Sequence, residues 1–364
     1  MQNEHGGDIY RNKTELDFSI CVNPLGMPEK ALEAAMKGLT RCGAYPDTEA
    51  AELRASIAAF LNTQAAGKKA LMNADIHADM ILPGNGAAEL IYALTRAVCP
   101  PEVIVLDPGF SEYEAAANVS HAKVRPVHLW RSEGFRWTKR ALRETLNLID
   151  SAGNHADSSL LFLCSPNNPT GYCIPEADLR VIAKRCEDAG VYLCVDECFL
   201  PFADGGSSML PYIREFPHLM VLRAFTKIYA MAGLRLGYLV SSDLLLLQKI
   251  RRGIQPWNVS VPAQMAGVKA LSDREYLDRT RELIQREKTH LLTELGNGLA
   301  EEIYGHDANY IFFKAEPGLK ERLLAEGILI RAFDIAGESY YRIGIRTHEE
   351  NAELIRKWRK CHER

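Results

Sequence analysis

Between residues 123 and 246 the chain repeats one pattern: short, continuous apolar runs separated by longer amphipathic stretches. Apolar runs fall at 124–129, 160–163, 191–195 and 219–222, with a similar one just upstream at 103–107, and helical periodicity covers 139–149 and 175–189. A strand that is apolar at every position is covered on both faces, so this alternation predicts an α/β fold with a mostly parallel sheet between two layers of helices. The run at 236–240 follows its predecessor too closely for a crossover helix and is expected to pair antiparallel. Ligands of such sheets gather beyond the carboxyl ends of the strands. Residues that carry chemistry are therefore sought just past the apolar runs.

Four segments meet that condition. The run at 160–163 ends in Ser165-Pro166-Asn167-Asn168-Pro169-Thr170-Gly171, a turn of Pro, Asn and Gly. The run at 191–195 ends in Asp196, an acid whose burial is costly unless it meets a cation. A pyridinium nitrogen would be such a cation, and the Asn168 amide has the reach for a ring oxygen beside it. After 219–222 comes Phe225-Thr226-Lys227-Ile228-Tyr229-Ala230-Met231-Ala232-Gly233-Leu234-Arg235, a lysine and an arginine in an apolar setting. A lysine withdrawn from water loses its preference for the charged form and becomes an amine nucleophile toward an aldehyde. After 103–107 comes Pro108-Gly109-Phe110-Ser111-Glu112-Tyr113, where Phe110 is placed to lie flat on a ring. Gly84-Asn85-Gly86-Ala87-Ala88 opens a further helix with small residues, leaving N–H groups free for an anion. Taken singly, each feature has an ordinary reading: a corner lysine, a packed aromatic, a Gly-rich helix start that binds nothing.

The combination is more specific. Asn168, Asp196, Lys227 and Arg235, in that order and at those spacings, resemble the signature of the fold-type I pyridoxal-phosphate enzymes, and the resemblance covers nearly the whole chain. It implies Lys227 as the Schiff-base lysine, Asp196 as the partner of the pyridine nitrogen, Asn168 as donor to the ring oxygen and Phe110 as the stacking ring. Gly86, Ala87, Ala88, Thr226 and Arg235 become the phosphate cradle, and pyridoxal 5'-phosphate the cofactor. Tyr45, in a Tyr-Pro-Asp turn, matches the position that reaches the neighbouring subunit's phosphate site, so a homodimer is implied. Phe199 stands where many relatives have a tyrosine, and Ala224 where a phosphate-binding serine is common. Within the superfamily the chain looks like the threonine-phosphate decarboxylases of cobalamin biosynthesis, through His5-Gly6-Gly7, Asn23-Pro24-Leu25-Gly26, the Phe110 motif and Tyr340-Tyr341-Arg342-Ile343-Gly344-Ile345-Arg346. Histidinol-phosphate aminotransferases are the alternative. Either implies a phosphorylated amine as substrate, with His5, Asn23, Asn168, Arg331, Arg342 and Arg346 toward it.

The expected organisation is an arm and linker at 1–40 packing on the small domain, a large cofactor-binding domain at 41–255 and a small α+β domain at 256–364. Periodicity predicts helices at 29–39 after Pro28, at 48–61 with Thr48 as cap, and at 273–295. It also predicts strands at 309–315, 328–332 and 340–345 and a final helix capped by Thr347 and Glu350. Pro256 and Pro262 are expected to bracket a loop. A net charge of -4 disfavours nucleic acid and anionic membrane surfaces as partners. It also disfavours the DNA-binding regulators that carry an aminotransferase-like domain. The opening residues have no basic and apolar leader, and no run reaches membrane-spanning length, so a cytoplasmic enzyme is expected. Nine cysteines without paired CxxC spacing and ten scattered histidines predict neither a disulfide framework nor a metal site.

Overall fold

The computed structural model describes residues 5–65, 75–153, 158–203 and 205–362, and the first four residues of the expected arm lie outside it. The first elements are β1 (Leu16–Asp17), α1 (Glu29–Leu39) and α2 (Ala51–Ala65). There follow β2 (Ile81–Gly84), α3 (Gly86–Val98), β3 (Glu102–Asp107), α4 (Ser111–Val119), β4 (Lys123–His128), α5 (Lys139–Ala152), β5 (Leu160–Cys164) and α6 (Glu176–Ala189). Next come β6 (Tyr192–Asp196), β7 (Leu219–Ala224), the single turn α7 (Phe225–Ile228), β8 (Gly237–Ser241) and α8 (Leu244–Arg252). The last third contains α9 (Val261–Ala270), α10 (Tyr276–Glu294), β9 (Glu302–Ile303), β10 (Tyr310–Lys314), α11 (Leu319–Ala325), β11 (Ile328–Leu329), β12 (Arg331–Ile335), β13 (Glu338–Gly344) and α12 (His348–His362).

Seven strands form the large sheet in the order β2-β8-β7-β6-β5-β3-β4. All run parallel except β8, which is antiparallel to both neighbours, as its short connection requires. The expected period of two is visible in the burial. Ile104, Leu106, Leu161, Leu163, Leu193, Val195 and Val221 enter one core with the inner faces of α5 and α6. Val103, Val105, Leu160, Phe162, Cys194, Met220 and Leu222 enter another with α3, α4 and α8. Alternate residues thus face opposite helix layers, which is why these strands read as unbroken apolar runs.

A second sheet, β12-β13-β10-β9, is wholly antiparallel, and β1 pairs parallel with β11. The expected strand at 328–332 is in fact two: Ile328 and Leu329 serve β1, and the chain turns at Ile330 so that β12 can pair with β13. The loop expected between Pro256 and Pro262 is present and ends at Ser260, where the unanticipated helix α9 begins. Ser260 accepts a hydrogen bond from Ala263 N at 3.3 Å and caps α9, with Pro262 in its first turn, where the missing N–H costs nothing. At α2 the cap is Asp47 rather than Thr48, since its carboxylate accepts from Glu49 N and Ala51 N at 2.9 and 2.8 Å. The capping box of α12 is present in both directions: Glu350 N donates to Thr347 Oγ1 at 3.3 Å and Thr347 N to Glu350 Oε2 at 3.1 Å. No described helix is long and apolar enough to cross a membrane.

Beside the site, Arg223 of β7 donates through Nε and Nη2 to Glu197 Oε2 at 3.0 and 2.7 Å, and Glu197 Oε1 accepts from Met209 N at 2.6 Å. Glu197 is 1% exposed. Removing one partner strands a buried charge, so Glu197→Ala is expected to lower unfolding free energy by about 3–5 kcal/mol. Urea unfolding of the apoprotein measures this, and a loss below about 1 kcal/mol would contradict it.

Candidate active site

Parallel pairing brings the ends of β3, β5, β6 and β7 to one edge of the sheet, with Cys164 opposite Asp196 in register. The ends of β2 and β7 also meet there, because Gly84 and Ala224 both pair with Gly237. Gly237 has to be glycine. A Cβ there would lie 2.7 Å from Ala87 N and 2.8 Å from Gly86 C, so β8 could not approach the start of α3. In this way the sheet gathers Phe110, Asn168, Asp196, Lys227 and the α3 N-terminus from distant parts of the sequence.

Asp196 closes β6 and is 4% exposed. Its Oδ2 accepts from the Tyr113 hydroxyl at 2.7 Å and its Oδ1 from Cys198 N at 2.8 Å. Burial pushes its carboxyl above the ordinary carboxylate value, against the pull of the Cys198 and Tyr113 hydrogen bonds and the Lys227 charge. Tyr113 stacks on Phe162 at 4.7 Å between ring centroids, so the hydroxyl is held by packing.

Lys227 sits in the single turn of α7, directly after β7. Removal from water draws its amine below the ordinary lysine value, and repulsion from Arg342 and Arg235 adds to this. The backbone here is pinned, because Asn23 N donates to Lys227 O at 3.0 Å. An amine biased toward its neutral form thus lies near a carboxylate that burial drives in the opposite direction.

At the third corner, α3 begins at Gly86 with no side-chain cap from Asn85, leaving its first-turn amides open. The Arg235 guanidinium covers them: a Cβ on Gly86, whose φ is +78°, would meet Arg235 Nη2 at 2.5 Å. Arg235 itself has φ +60° and donates to Ala232 O at 3.2 Å. Thr226 is buried at the start of α7. Open amides, a helix dipole and a guanidinium form an anion cradle.

On the other side lies the β12–β13 hairpin. Arg342 is 8% exposed and donates to Asn168 Oδ1 at 2.5 Å and to Ser19 O at 2.8 Å. Its Nε is buried with no partner among the described residues. Arg331 is its cross-strand partner, and the two guanidinium carbons lie 5.2 and 6.0 Å from the same Phe333 ring. His5 lies beside Phe110, with ring centroids 6.4 Å apart.

Two expected residues, Asn23 and Arg346, are placed differently. Both donors of the Asn23 amide are engaged, to Ile228 O at 2.8 Å and Thr280 Oγ1 at 2.7 Å, while its oxygen accepts from Leu25 N. It ties the N-terminal loop to α7 and α10 and has no donor for a substrate. Arg346 is paired through Nε and Nη2 with Glu350 at 3.2 and 2.7 Å, which fixes it to the start of α12. Tyr45 is 77% exposed and stacks on Trp257 at 4.3 Å, outside the cluster of this chain. Phe199, with no hydroxyl to offer, packs edge-on against Tyr310 at 5.0 Å.

Two contributors were not anticipated. Tyr113 holds Asp196, a role hinted at only by its spacing of three from Phe110, which suits one helix face. Cys21, 1% exposed, lies close enough to Arg342 and Lys227 for their charges to oppose the rise that burial imposes on its thiol. Nothing in its local sequence marks it.

These residues fit pyridoxal 5'-phosphate. The buried, raised carboxyl of Asp196 suits a ring nitrogen that brings its own positive charge, Lys227 an aldehyde, and the α3 amides with Arg235 a phosphate. The comparisons agree. A model of the family described as aminotransferase class I and II matches residues 13–357. The chain is 33% identical over 365 residues to the threonine-phosphate decarboxylase of Salmonella typhimurium, covering 96% of this chain and 94% of that one. To the histidinol-phosphate aminotransferase of Methanosarcina mazei it is 31% identical over 343 residues, covering 92% and 84%. Among solved structures, the histidinol-phosphate aminotransferase from Clostridium acetobutylicum matches with a TM-score of 0.83 at 27% identity, covering 96% of this chain and 99% of that one.

Proposed function

We propose that this chain, which belongs to the aminotransferase class I and II family and takes pyridoxal 5'-phosphate as its cofactor, decarboxylates an O-phosphorylated amino acid, with L-threonine O-3-phosphate as the preferred substrate. The observation that carries this reading is the Arg331–Arg342 pair. Like charges directly opposite on two strands repel, and among the described residues Arg342 donates only to neutral acceptors while its Nε is left over. A dianionic phosphate answers two guanidinium groups better than a single carboxylate does.

That choice decides the reaction. Bound pyridoxal phosphate supplies an aldehyde that takes up the substrate amine and a ring that receives the electron pair released at the α-carbon. Asp196 keeps the proton on the ring nitrogen, without which the ring is a poor acceptor. If the arginine pair held the phosphate, the substrate carboxylate would be left unanchored, and its bond to the α-carbon would be the one free to break. Carbon dioxide would leave without its bonding pair, and Lys227 Nζ, having taken a proton from the substrate ammonium, would return it to the α-carbon. The products are carbon dioxide and aminopropanol phosphate, the amine expected of a cobalamin-pathway enzyme.

A second reading rests on the Asn168–Arg342 contact, which equally suits the substrate carboxylate. In that case the α-proton leaves and the protein is an aminotransferase of the histidinol-phosphate type. Incubating holoenzyme with O-phospho-L-threonine in the absence of any keto acid separates the two. Carbon dioxide and aminopropanol phosphate are expected, and turnover that requires 2-oxoglutarate and yields glutamate would overturn the reading.

The active unit is proposed to be a homodimer. In support, Tyr45 lies exposed on Trp257 outside its own chain's site, and Leu32, Met36 and Leu39 of α1 are 48%, 61% and 65% exposed at helical spacing on one side. Light scattering at assay concentration is expected to give twice the chain mass. A fully active monomer would contradict this.

A further inference from the structure

We propose that Glu112, held by Tyr92, is the positioning residue that fixes His5 in the phosphate subsite; this rests on the reading that the substrate is phosphorylated. His5 Nε2 lies 2.9 Å from Glu112 Oε1, and the Tyr92 hydroxyl donates to Glu112 Oε2 at 2.9 Å. Both oxygens of the carboxylate are therefore engaged, one from α3 and one from the N-terminal arm. Burial and the Glu112 contact push the Tyr92 phenol up, so it stays a donor.

On an open surface such an ion pair would contribute little. Its placement makes the difference. Glu112 is 16% exposed on the first turn of α4, two residues after Phe110, whose ring neighbours that of His5. The root of the arm is fixed at the other end of the pocket. Gly7 N donates to Ser19 Oγ at 2.7 Å, and a Cβ on Gly6 would lie 2.3 Å from Ser19 O, the same oxygen that accepts from Arg342 Nη2. From the surroundings of Arg342 to Phe110, the arm thus spans the side of the site where the arginine pair stands. A protonated imidazole donates at both nitrogens, so Glu112 can take one hydrogen bond and a phosphate oxygen the other. Without the carboxylate, a half-exposed histidine on an arm has many orientations, and ordering it must come out of the binding energy.

The role is tested by titrating holoenzyme with O-phospho-L-threonine and with L-threonine, followed by visible absorbance, in the wild type and in His5→Ala, Glu112→Gln, Tyr92→Phe and the His5→Ala/Glu112→Gln double variant. His5→Ala and Glu112→Gln are each expected to weaken the phosphorylated ligand by about tenfold or more while L-threonine changes little, with a smaller loss for Tyr92→Phe. The double variant should bind no more weakly than His5→Ala alone, because Glu112 acts through His5. Equal weakening of both ligands by Glu112→Gln, additive losses in the double variant, or tighter phosphothreonine binding after Glu112→Gln would each overturn the proposal. If O-phospho-L-threonine does not bind but histidinol phosphate does, the decarboxylase reading fails, and the same comparison with histidinol phosphate against histidinol decides the role of Glu112. If no phosphorylated amine binds more tightly than its unphosphorylated counterpart, both readings fall.

Discussion

Lys227→Ala should reduce turnover to background and remove the site at which borohydride fixes the cofactor to the chain. The expectation follows from where the lysine stands. It is held immediately after β7 by a single helical turn, its amine is drawn below the ordinary lysine value by burial, and two arginines keep it from regaining charge cheaply. A lysine on the surface, such as Lys139 or Lys184, instead forms an ion pair with a neighbouring carboxylate. Nucleophilic attack on an aldehyde needs the neutral amine. Digestion of borohydride-reduced holoenzyme should yield one labelled peptide, containing Lys227. A label on any other peptide would contradict the assignment.

Asp196→Asn is expected to lower kcat by about two orders of magnitude or more, since an amide cannot hold the ring nitrogen's proton by charge. The same substitution should leave the apoprotein at least as stable as the wild type. With a folded-state value raised by burial, the native carboxyl binds more protons than the unfolded one between the two values, so apoprotein stability falls as pH rises through that window. Asparagine has no such penalty. Relative to the wild type, Asp196→Asn should therefore gain in thermal midpoint on going from below the ordinary carboxylate value to neutral pH. Near wild-type kcat, or an apoprotein that loses stability on substitution at neutral pH, would remove Asp196 from its role.

Much of this was legible in the sequence because it depends on local pattern. Strands β3, β5, β6 and β7 announce themselves by unbroken apolar runs, and the chemistry sits at their ends or up to four residues beyond, where a parallel sheet must present it. Edge elements were harder. β2 contains Pro83, which a strand tolerates at a sheet edge, and its pairing partner Tyr238 lies far downstream. α9 was not anticipated, because Pro262 looks like the end of a loop until Ser260 is seen to cap the helix that Pro262 helps to start. The substrate side depended on pairings that no local pattern encodes. Asn23 and Arg346 resemble free polar groups in sequence, and only the fold shows Asn23 bonded to Ile228 and Thr280 and Arg346 bonded to Glu350. The contact between Asn168 and Arg342 likewise joins residues 174 positions apart.

The proposed reaction breaks the bond to the carboxyl carbon, with the Arg331–Arg342 pair holding the phosphate and leaving the carboxylate unanchored. O-phospho-L-threonine labelled with carbon-13 in its carboxyl group tests this most directly when turned over in deuterium oxide. The label is expected to be released as carbon dioxide or bicarbonate, with deuterium in aminopropanol phosphate at the carbon that had carried the carboxyl group. Retention of the label in a phosphorylated 2-oxo acid, formed only when an amino acceptor is supplied, would contradict it.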